Sequence, residues 1–395
     1  MGKMSRVIKS PKRIFVHESV WNSPVVENLR KNLPEASFHV LDFQNRENFT
    51  FFPYDLEVVD FKGRFIRSCP ATKFYHCCGY VILHFGELCS IGCTYCILQA
   101  YWNQPCLRIF GNTDRMLREL QDFLDHHPDT LFRIGTGEFT DSLLLDPWTG
   151  FSEIIVPFFA RQKNAILELK TKTSFVDRLL ELPHDGHTIV AWSLNAPSIS
   201  QKEEGKAAPL EVRLQMAKKC AERGYFLAFH FDPLFYFPGW EEEYSHTIDR
   251  LFSYVPSDQI VYISLGAFRF MPELKEIILI KRPQWKYASG EFVPCPDRKR
   301  RYFKGIRIKL YKHIASRIRR HAPDVCVYLC MENGTVWKQS LGFHPSEQGG
   351  LPSMLDLAVK KCMKVGLHCS RSAAPLLLQK PQPYSSDVFT LSKII

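Results

Sequence analysis

The chain has 395 residues, 13 cysteines and a formal net charge of +10. No apolar run approaches the roughly 18 residues of a membrane span, and the basic N-terminus has no apolar stretch, so we expect neither a membrane protein nor a secretory signal. The scattered single cysteines argue against a disulfide scaffold and predict a reducing, cytoplasmic compartment. The positive charge favours an anionic partner such as nucleic acid.

The first part of the chain predicts a small α/β element over residues 1–75. Short apolar runs at 14–16 and 38–41 are typical of strands, and residues 24–31 between them have helical spacing. A further buried strand is expected at 80–83. Its end leads into a cysteine-rich loop, so this strand would present that loop at its carboxyl end.

Residues 76–290 alternate between predicted strands and helices. Such alternation implies parallel strand pairing and an α/β fold, in which functional side chains collect at the carboxyl ends of the strands. Spacing alone does not separate a barrel from a doubly wound sheet. The predicted strands are 107–110, 131–134, 165–170, 188–194, 225–231 and 260–265, and the predicted helices are 113–126, 151–161, 176–181, 209–223 and 241–254.

Residues 291–368 predict a basic segment followed by a C-terminal extension. Lys and Arg are dense between 298 and 320, and aromatic residues are interleaved with them. Residues 306–310 alternate apolar and basic, which predicts a strand with one basic face. A further strand is expected at 325–329, and the Ser- and Pro-rich tail 369–395 is expected to be loosely ordered.

Three cysteines form the most informative motif. Cys89, Cys93 and Cys96 have a C-x3-C-x2-C spacing, which points three thiolates at one centre and suits a [4Fe–4S] cluster with one open iron. Zinc normally takes four ligands, often from two C-x2-C pairs, and no second such pair exists. The spacing resembles the signature of radical S-adenosylmethionine enzymes, in which the open iron binds S-adenosylmethionine and Tyr95 would lie against the adenine.

A second candidate group follows the predicted strands. Gly135-Thr136-Gly137-Glu138 comes after one strand, and its small residues let the backbone approach a ligand closely. Polar side chains at the ends of the next strands would converge on one rim and could hold a carboxylate, ribose hydroxyls and adenine. A solvated rim is the alternative for each of them. These residues are Lys172, Ser193, Asn195 and Asp232.

The run from about residue 14 to 320 resembles the spore photoproduct lyase family of radical S-adenosylmethionine enzymes. The resemblance implies a partial (β/α)6 radical-SAM barrel, a [4Fe–4S] cluster, and S-adenosylmethionine cleaved to a 5′-deoxyadenosyl radical. It also implies an external electron donor of the flavodoxin or ferredoxin type. The similar motifs, in the family's order, are Cys96-Ile97-Leu98-Gln99, Thr171-Lys172, Trp192-Ser193-Leu194-Asn195-Ala196 and Gly239-Trp240 with Tyr244.

The resemblance also assigns roles to individual residues. Gly137 and Glu138 match the segment that binds the amino group of the cofactor, and Lys172 matches a lysine that contacts its carboxylate. Thr140 and Asp141 match the segment after the third barrel strand and are further cofactor-binding candidates. These side chains would therefore surround S-adenosylmethionine beside the cluster.

Two departures from the family bear on the reaction. The family keeps a hydrogen-donating cysteine after the third barrel strand, where this chain has Glu138 or Phe139, and a tyrosine after the last cluster cysteine, where it has Ile97. None of these side chains gives up a hydrogen atom readily. We therefore expect cofactor cleavage but poor repair of spore photoproduct. The remaining catalytic candidates are Tyr95, Tyr101 and Cys106.

The basic segment lies where the family has a β-hairpin that wedges into DNA. Phosphates attract Lys and Arg, and unstacked bases attract aromatic rings, so this segment predicts nucleic-acid binding. Two alternatives stay open: radical modification of RNA or a small molecule, and a nucleic-acid-binding protein with a structural or redox cluster. The predicted nucleic-acid contacts are Arg300, Arg301, Tyr302, Lys304, Arg307 and Lys309.

Overall fold

The computed structural model describes residues 8–42, 48–69, 74–102 and 104–363. Eight strands form the main sheet: β4 (Ile66–Ser68), β5 (Val81–Leu83), β8 (Phe132–Gly135), β9 (Ala165–Thr171), β10 (Thr188–Ser193), β11 (Phe226–Leu234), β12 (Ile260–Ala267) and β16 (Cys326–Leu329). Their order is β16-β12-β11-β10-β9-β8-β5-β4, and all neighbours pair in parallel except β4, which is antiparallel to β5. The prediction of an α/β fold with a partial barrel is confirmed.

A second sheet of five strands contains β1 (Arg13–His17), β2 (Ser37–Leu41), β3 (Leu56–Val59), β6 (Gly86–Glu87) and β7 (Leu107–Phe110), in the order β2-β1-β3-β7-β6. Strand β7 was expected in the barrel alternation, but it pairs in parallel with β3. The ring of Phe110 at its end stacks on Phe61, with centroids 4.0 Å apart. An apolar run predicts a buried strand without naming its partner, so the sequence could not distinguish the two sheets.

The helices connect these strands. They are α1 (Pro24–Asn32), α2 (Leu98–Tyr101), α3 (Thr113–Asp125), α4 (Asp146–Thr149), α5 (Phe151–Ala160), α6 (Pro197–Glu203), α7 (Leu210–Glu222), α8 (Trp240–Tyr254), α9 (Pro272–Lys281), α10 (Lys304–His321), α11 (Gly334–Leu341) and α12 (Leu351–Met363). Helix α3 buries Met116, Leu120 and Leu124, which recur every four residues on one face. Within the described residues, no helix has the length and apolar character needed to cross a membrane.

A third, antiparallel sheet contains β13 (Arg269–Phe270), β14 (Phe292–Pro294) and β15 (Arg300–Tyr302), in the order β13-β15-β14. Strands β14 and β15 form the expected basic hairpin. The strand expected at 306–310 is wrong, because these residues lie in α10. An alternation over five residues is also compatible with a helix. The buried residues Leu310, Ile314 and Ile318 recur every four residues, which is the helical period.

The C-terminal extension takes part in the main sheet through β16, which pairs in parallel with β12. Helix α12 packs against both of these strands. The expectation for the tail 369–395 lies outside the described residues. The main sheet and its helices share one continuous hydrophobic core, which holds the carboxyl ends of the strands at a common rim.

Candidate active site

The predicted cluster cysteines lie in the loop between β6 and α2, and all three line one cavity of about 350 Å³. Cys93 is buried, and Cys89 and Cys96 are half-buried. Burial raises the pKa of all three thiols, so a thiolate at this place needs a positive partner. Iron is such a partner and binds thiolates, so the three residues fit the cluster that the spacing predicts.

The cluster loop is held by a turn over residues 203–206, which the sequence did not reveal. The amide of Thr94 donates to the carbonyl of Glu203, and the amide of Lys206 donates to the carbonyl of Ile91, both at 2.8 Å. Gly205 lies between them at φ +47°, where a Cβ atom would be 2.2 Å from the Ile91 oxygen. Only glycine permits this approach without a shift of the backbone.

Glu204 in the same turn links the cluster loop to the barrel. Its fully buried carboxylate accepts from Tyr95 Oη at 2.5 Å, from Lys172 Nζ at 2.9 Å and from the guanidinium of Arg213. Burial alone would raise the pKa of Glu204, but Arg213 and Lys172 outweigh it and lower the pKa below its ordinary value. Tyr95 and Lys172 are both predicted to contact the cofactor. Both are thus positioned by one carboxylate, which lies 109 residues from Tyr95 and 32 residues from Lys172 in the sequence.

Gly137 and Glu138 of the glycine-rich segment at the end of β8 line the same cavity. Glu138 forms an ion pair with Lys170 at 2.5 Å, and a Cβ atom on Gly137 would lie 2.7 Å from Lys170 Cβ. Asp141 accepts from Thr171 Oγ1 and from the amide of Lys172, both at 2.7 Å. Asp141 therefore positions the end of β9. Thr140 lines the cavity beside it.

The rim residues of the next strands divide into two groups. Ser193 and Asp232 line the cavity, and Asp232 pairs with Arg269 at 2.9 Å. Gly266 makes room for this pair, because a Cβ atom there would lie 2.4 Å from the Asp232 carboxylate. Asn195 is fully buried outside the lining, where it accepts from Tyr244 Oη at 2.8 Å, so its placement on the rim is corrected. It follows β10, and its side-chain amide donates to the carbonyl of Pro233 in β11 at 2.9 Å, which connects the ends of these two strands.

The floor of the cavity carries a buried carboxylate that the sequence did not single out. Glu168 accepts from Tyr262 Oη, and His230 Nε2 lies 3.3 Å from its Oε1. Burial would raise the pKa of Glu168, but His230 and further neighbours lower it to about 2. Tyr80 also reaches Glu168, and a Cβ atom on Gly135 would lie 1.5 Å from the Tyr80 hydroxyl. This floor is polar and rigidly packed.

The catalytic candidates are separated by the fold. Tyr101 lines the cavity with 48% of its side chain exposed. Cys106 is buried just before β7 and is not part of the cavity lining. Three further cysteines line the cavity. They are scattered single thiols in the sequence, so their spacing does not indicate that they lie together in the structure. They are Cys69, Cys78 and Cys330.

The predicted nucleic-acid contacts also divide. Arg300 and Lys304 are exposed, as required for binding a large partner. Arg301 is buried and pairs with both oxygens of Asp297, at 2.6 and 2.7 Å. Tyr302 and Arg307 are buried as well, with Arg307 bound to Glu332 at 2.8 Å, and Lys309 pairs with Glu241 at 2.9 Å. The free basic surface is therefore smaller than the sequence suggested.

Comparison with known proteins identifies the family. The family model described as spore photoproduct lyase matches residues 77–321, more than half of the chain. The spore photoproduct lyase of Bacillus subtilis (strain 168) is 28% identical over 262 residues, which are 66% of this chain and 72% of that protein. The spore photoproduct lyase of Geobacillus sp. (strain Y412MC61) is 26% identical over 297 residues, which are 71% of this chain and 85% of that protein.

Solved structures share the fold. A spore photoproduct lyase mutant with dinucleoside spore photoproduct has a TM-score of 0.72 at 19% identity and covers 81% of this chain and 99% of its own. Another mutant, with bound AdoMet and dinucleoside spore photoproduct, has a TM-score of 0.71 at the same identity and coverage. A partial barrel with a three-cysteine loop at its strand ends defines the class of radical S-adenosylmethionine enzymes. Within that class, this chain belongs to the spore photoproduct lyase family, as its sequence motifs predicted.

Proposed function

We propose that the chain binds a [4Fe–4S] cluster and S-adenosylmethionine in the cavity, and acts on nucleic acid through a 5′-deoxyadenosyl radical. The observation that carries the proposal is that one cavity is lined by the three cysteines of the C-x3-C-x2-C motif, by Gly137 and Glu138, and by residues at the carboxyl ends of the barrel strands. A relative with the same fold was solved with bound AdoMet, and others with dinucleoside spore photoproduct, which supports this class of ligand and substrate.

Different residues of the cavity have different roles in the proposed reaction. Cys89, Cys93 and Cys96 would hold the cluster, which would pass an electron from an external flavodoxin- or ferredoxin-type donor to the cofactor. Glu138 can accept from an ammonium, and Lys172 can donate to a carboxylate, which are the two ends of the methionyl group. Glu204 keeps Lys172 and Tyr95 in place.

The test is product analysis of anaerobically reconstituted enzyme. Reduced enzyme is incubated with S-adenosylmethionine and ultraviolet-damaged DNA, undamaged DNA or RNA, and 5′-deoxyadenosine and the altered nucleotide are measured. We expect 5′-deoxyadenosine in every case and altered nucleotide with damaged DNA. Cys93→Ala should lose iron and product, whereas Cys106→Ala should retain both, because Cys106 is a buried cysteine outside the cavity. Full iron content in Cys93→Ala, or no 5′-deoxyadenosine from wild-type enzyme, would overturn the proposal.

A further inference from the structure

The hairpin of β14 and β15 sends its basic side chains in two directions. Arg298 and Arg300 are exposed, whereas Lys299 and Arg301 between and after them turn towards the protein. Arg298 lies in the turn before β15 at φ +64°, and from Lys299 onwards the side chains alternate with the ordinary period of extended backbone. Lys299 lines the same cavity as the cluster cysteines, so the hairpin places one ammonium group inside the cavity and two guanidinium groups outside it.

Lys299 differs from the other basic side chains of the cavity in having no anionic partner. Arg301, on the same face of the hairpin, is neutralised by Asp297. In the part of the chain that the structure describes, no carboxylate oxygen lies within ion-pair distance of Lys299 Nζ, whose nearest polar contact is Met331 Sδ at 3.5 Å. The other cavity cations are all paired: Arg133 with Asp356 at 2.8 Å, Lys170 with Glu138 at 2.5 Å, Lys172 with Glu204 at 2.9 Å and Arg269 with Asp232 at 2.9 Å.

An unpaired ammonium in this position is unfavourable. Burial and the positive charge of Arg269 lower the pKa of Lys299 more than the charge of Asp297 raises it, so the surroundings disfavour the charged form. A half-buried ammonium group without an anion has lost part of its hydration, and an anionic ligand would compensate this loss. The cavity therefore has an open place for a negative group beside Lys299.

We propose that Lys299 binds a phosphate group of the substrate, namely the phosphodiester that joins the two nucleosides at the reacting site. This inference rests on the proposed action on nucleic acid and assigns one of its contacts. Arg298 and Arg300 on the outer face of the hairpin continue the positive charge along the strand, where the neighbouring phosphates would lie. A phosphodiester inside the cavity and phosphates outside it would place the two joined bases near the cluster.

The experiment compares two ligands that differ by one phosphate. Binding of photoproduct dinucleoside and of the corresponding photoproduct dinucleotide is measured calorimetrically on reconstituted, unreduced enzyme with S-adenosylmethionine, so that no turnover occurs. Wild-type enzyme should bind the dinucleotide about tenfold more tightly, since hydrogen bonds to a charged group are strong. Lys299→Met should remove this preference, and Lys299→Arg should restore most of it.

Lys163→Met is the matched control, because Lys163 is an exposed lysine just before β9, outside the cavity lining and the basic segment, and its replacement should leave the preference unchanged. A preference that survives in Lys299→Met, or its absence in wild-type enzyme, would overturn the inference. A loss of affinity for S-adenosylmethionine in Lys299→Met would indicate that the lysine binds the methionyl carboxylate, which would also overturn the inference. Failure of both ligands to bind, with 5′-deoxyadenosine still formed, would instead contradict the proposed substrate class and remove the basis of the inference.

Discussion

At the residue scale, buried carboxylates organise the cavity. Glu204 holds the cluster loop, β9 and α7 together through Tyr95, Lys172 and Arg213. Glu168 holds the floor through Tyr262 and His230. Buried charges of this kind are stable only while every partner remains, because removal of one leaves another charge uncompensated.

Glu204→Ala should be strongly destabilising, since it leaves the fully buried Arg213 without an anion. We expect a loss of about 3–5 kcal/mol in the free energy of unfolding, measured by urea denaturation. Glu211→Ala is the control, because it breaks a partly exposed pair with Arg250 and should cost less than about 1 kcal/mol. Equal losses in the two variants would show that Glu204 is not a structural hub.

Glu168 predicts a pH dependence of stability. Its pKa in the folded protein is lowered to about 2, against an ordinary value of about 4.3 in an unfolded chain. The carboxylate therefore contributes fully to stability above about pH 4.5, and the contribution disappears as the pH falls towards 2. The difference in unfolding free energy between wild type and Glu168→Gln should thus be large at pH 7 and smaller at pH 3. A constant difference would contradict the lowered pKa.

The residues at the place of the family's hydrogen-donating cysteine predict an incomplete reaction. Glu138 is engaged with Lys170, and Phe139 beside it has no hydrogen to give readily. We expect S-adenosylmethionine cleavage with few thymines restored per cofactor consumed, measured on photoproduct-containing DNA. Tyr101→Phe should lower the thymine yield further, because Tyr101 lines the cavity, whereas Cys106→Ala should not change it. Clean multiple-turnover repair by the Tyr101→Phe/Cys106→Ala double variant would contradict the interpretation that this chain lacks the family's hydrogen-donating residues.

At the element scale, local patterns predicted the elements and left their partners undetermined. The alternation of strands and helices predicted the parallel barrel sheet, and the C-x3-C-x2-C spacing predicted the loop that lines the cavity. Neither could predict that β7 pairs with β3 or that the 203–206 turn supports the loop, because these contacts join segments far apart in sequence. The alternation over 306–310 predicts a strand, but five residues are too few to distinguish the period of a strand from that of the helix to which they belong.

The 203–206 turn can be tested with a pair of glycine variants. Gly205 and Gly239 both have positive φ, so alanine adds a similar backbone strain of about 1–2 kcal/mol at each. A Cβ atom on Gly205 would lie 2.2 Å from the Ile91 carbonyl, whereas one on Gly239 would meet nothing within 4 Å. Gly205→Ala should therefore be the less stable variant and should retain less iron after reconstitution. Equal iron content in the two variants would show that the turn does not support the cluster loop.

At the scale of the whole molecule, the charge is distributed unevenly around the cavity. The hairpin contributes Lys299 to the lining and carries Arg298 and Arg300 on its outer face, and β13 of the same sheet contributes Arg269 to the lining. Much of the remaining basic segment is used inside the protein, as Arg301 and Arg307 show. The net charge of +10 therefore overstates the positive surface available to a partner, and binding should depend on a few exposed side chains at the cavity mouth.

Those exposed side chains predict the salt dependence of nucleic-acid binding. For each phosphate of duplex DNA that the protein no longer neutralises, the slope of log K against log salt should become shallower by about 0.9. Combined replacement of Arg298, Arg300 and Lys304 by Met should thus flatten the slope, measured by fluorescence anisotropy between low and moderate salt. The control variant neutralises three exposed basic residues that precede β9 and β11, at the opposite ends of the barrel strands: Arg161, Lys163 and Lys219. Both triple variants lower the net charge by the same amount. A flattened slope in both variants would mean that binding depends only on the overall charge. An unchanged slope in the variant of Arg298, Arg300 and Lys304 would show that this surface is not part of the binding site.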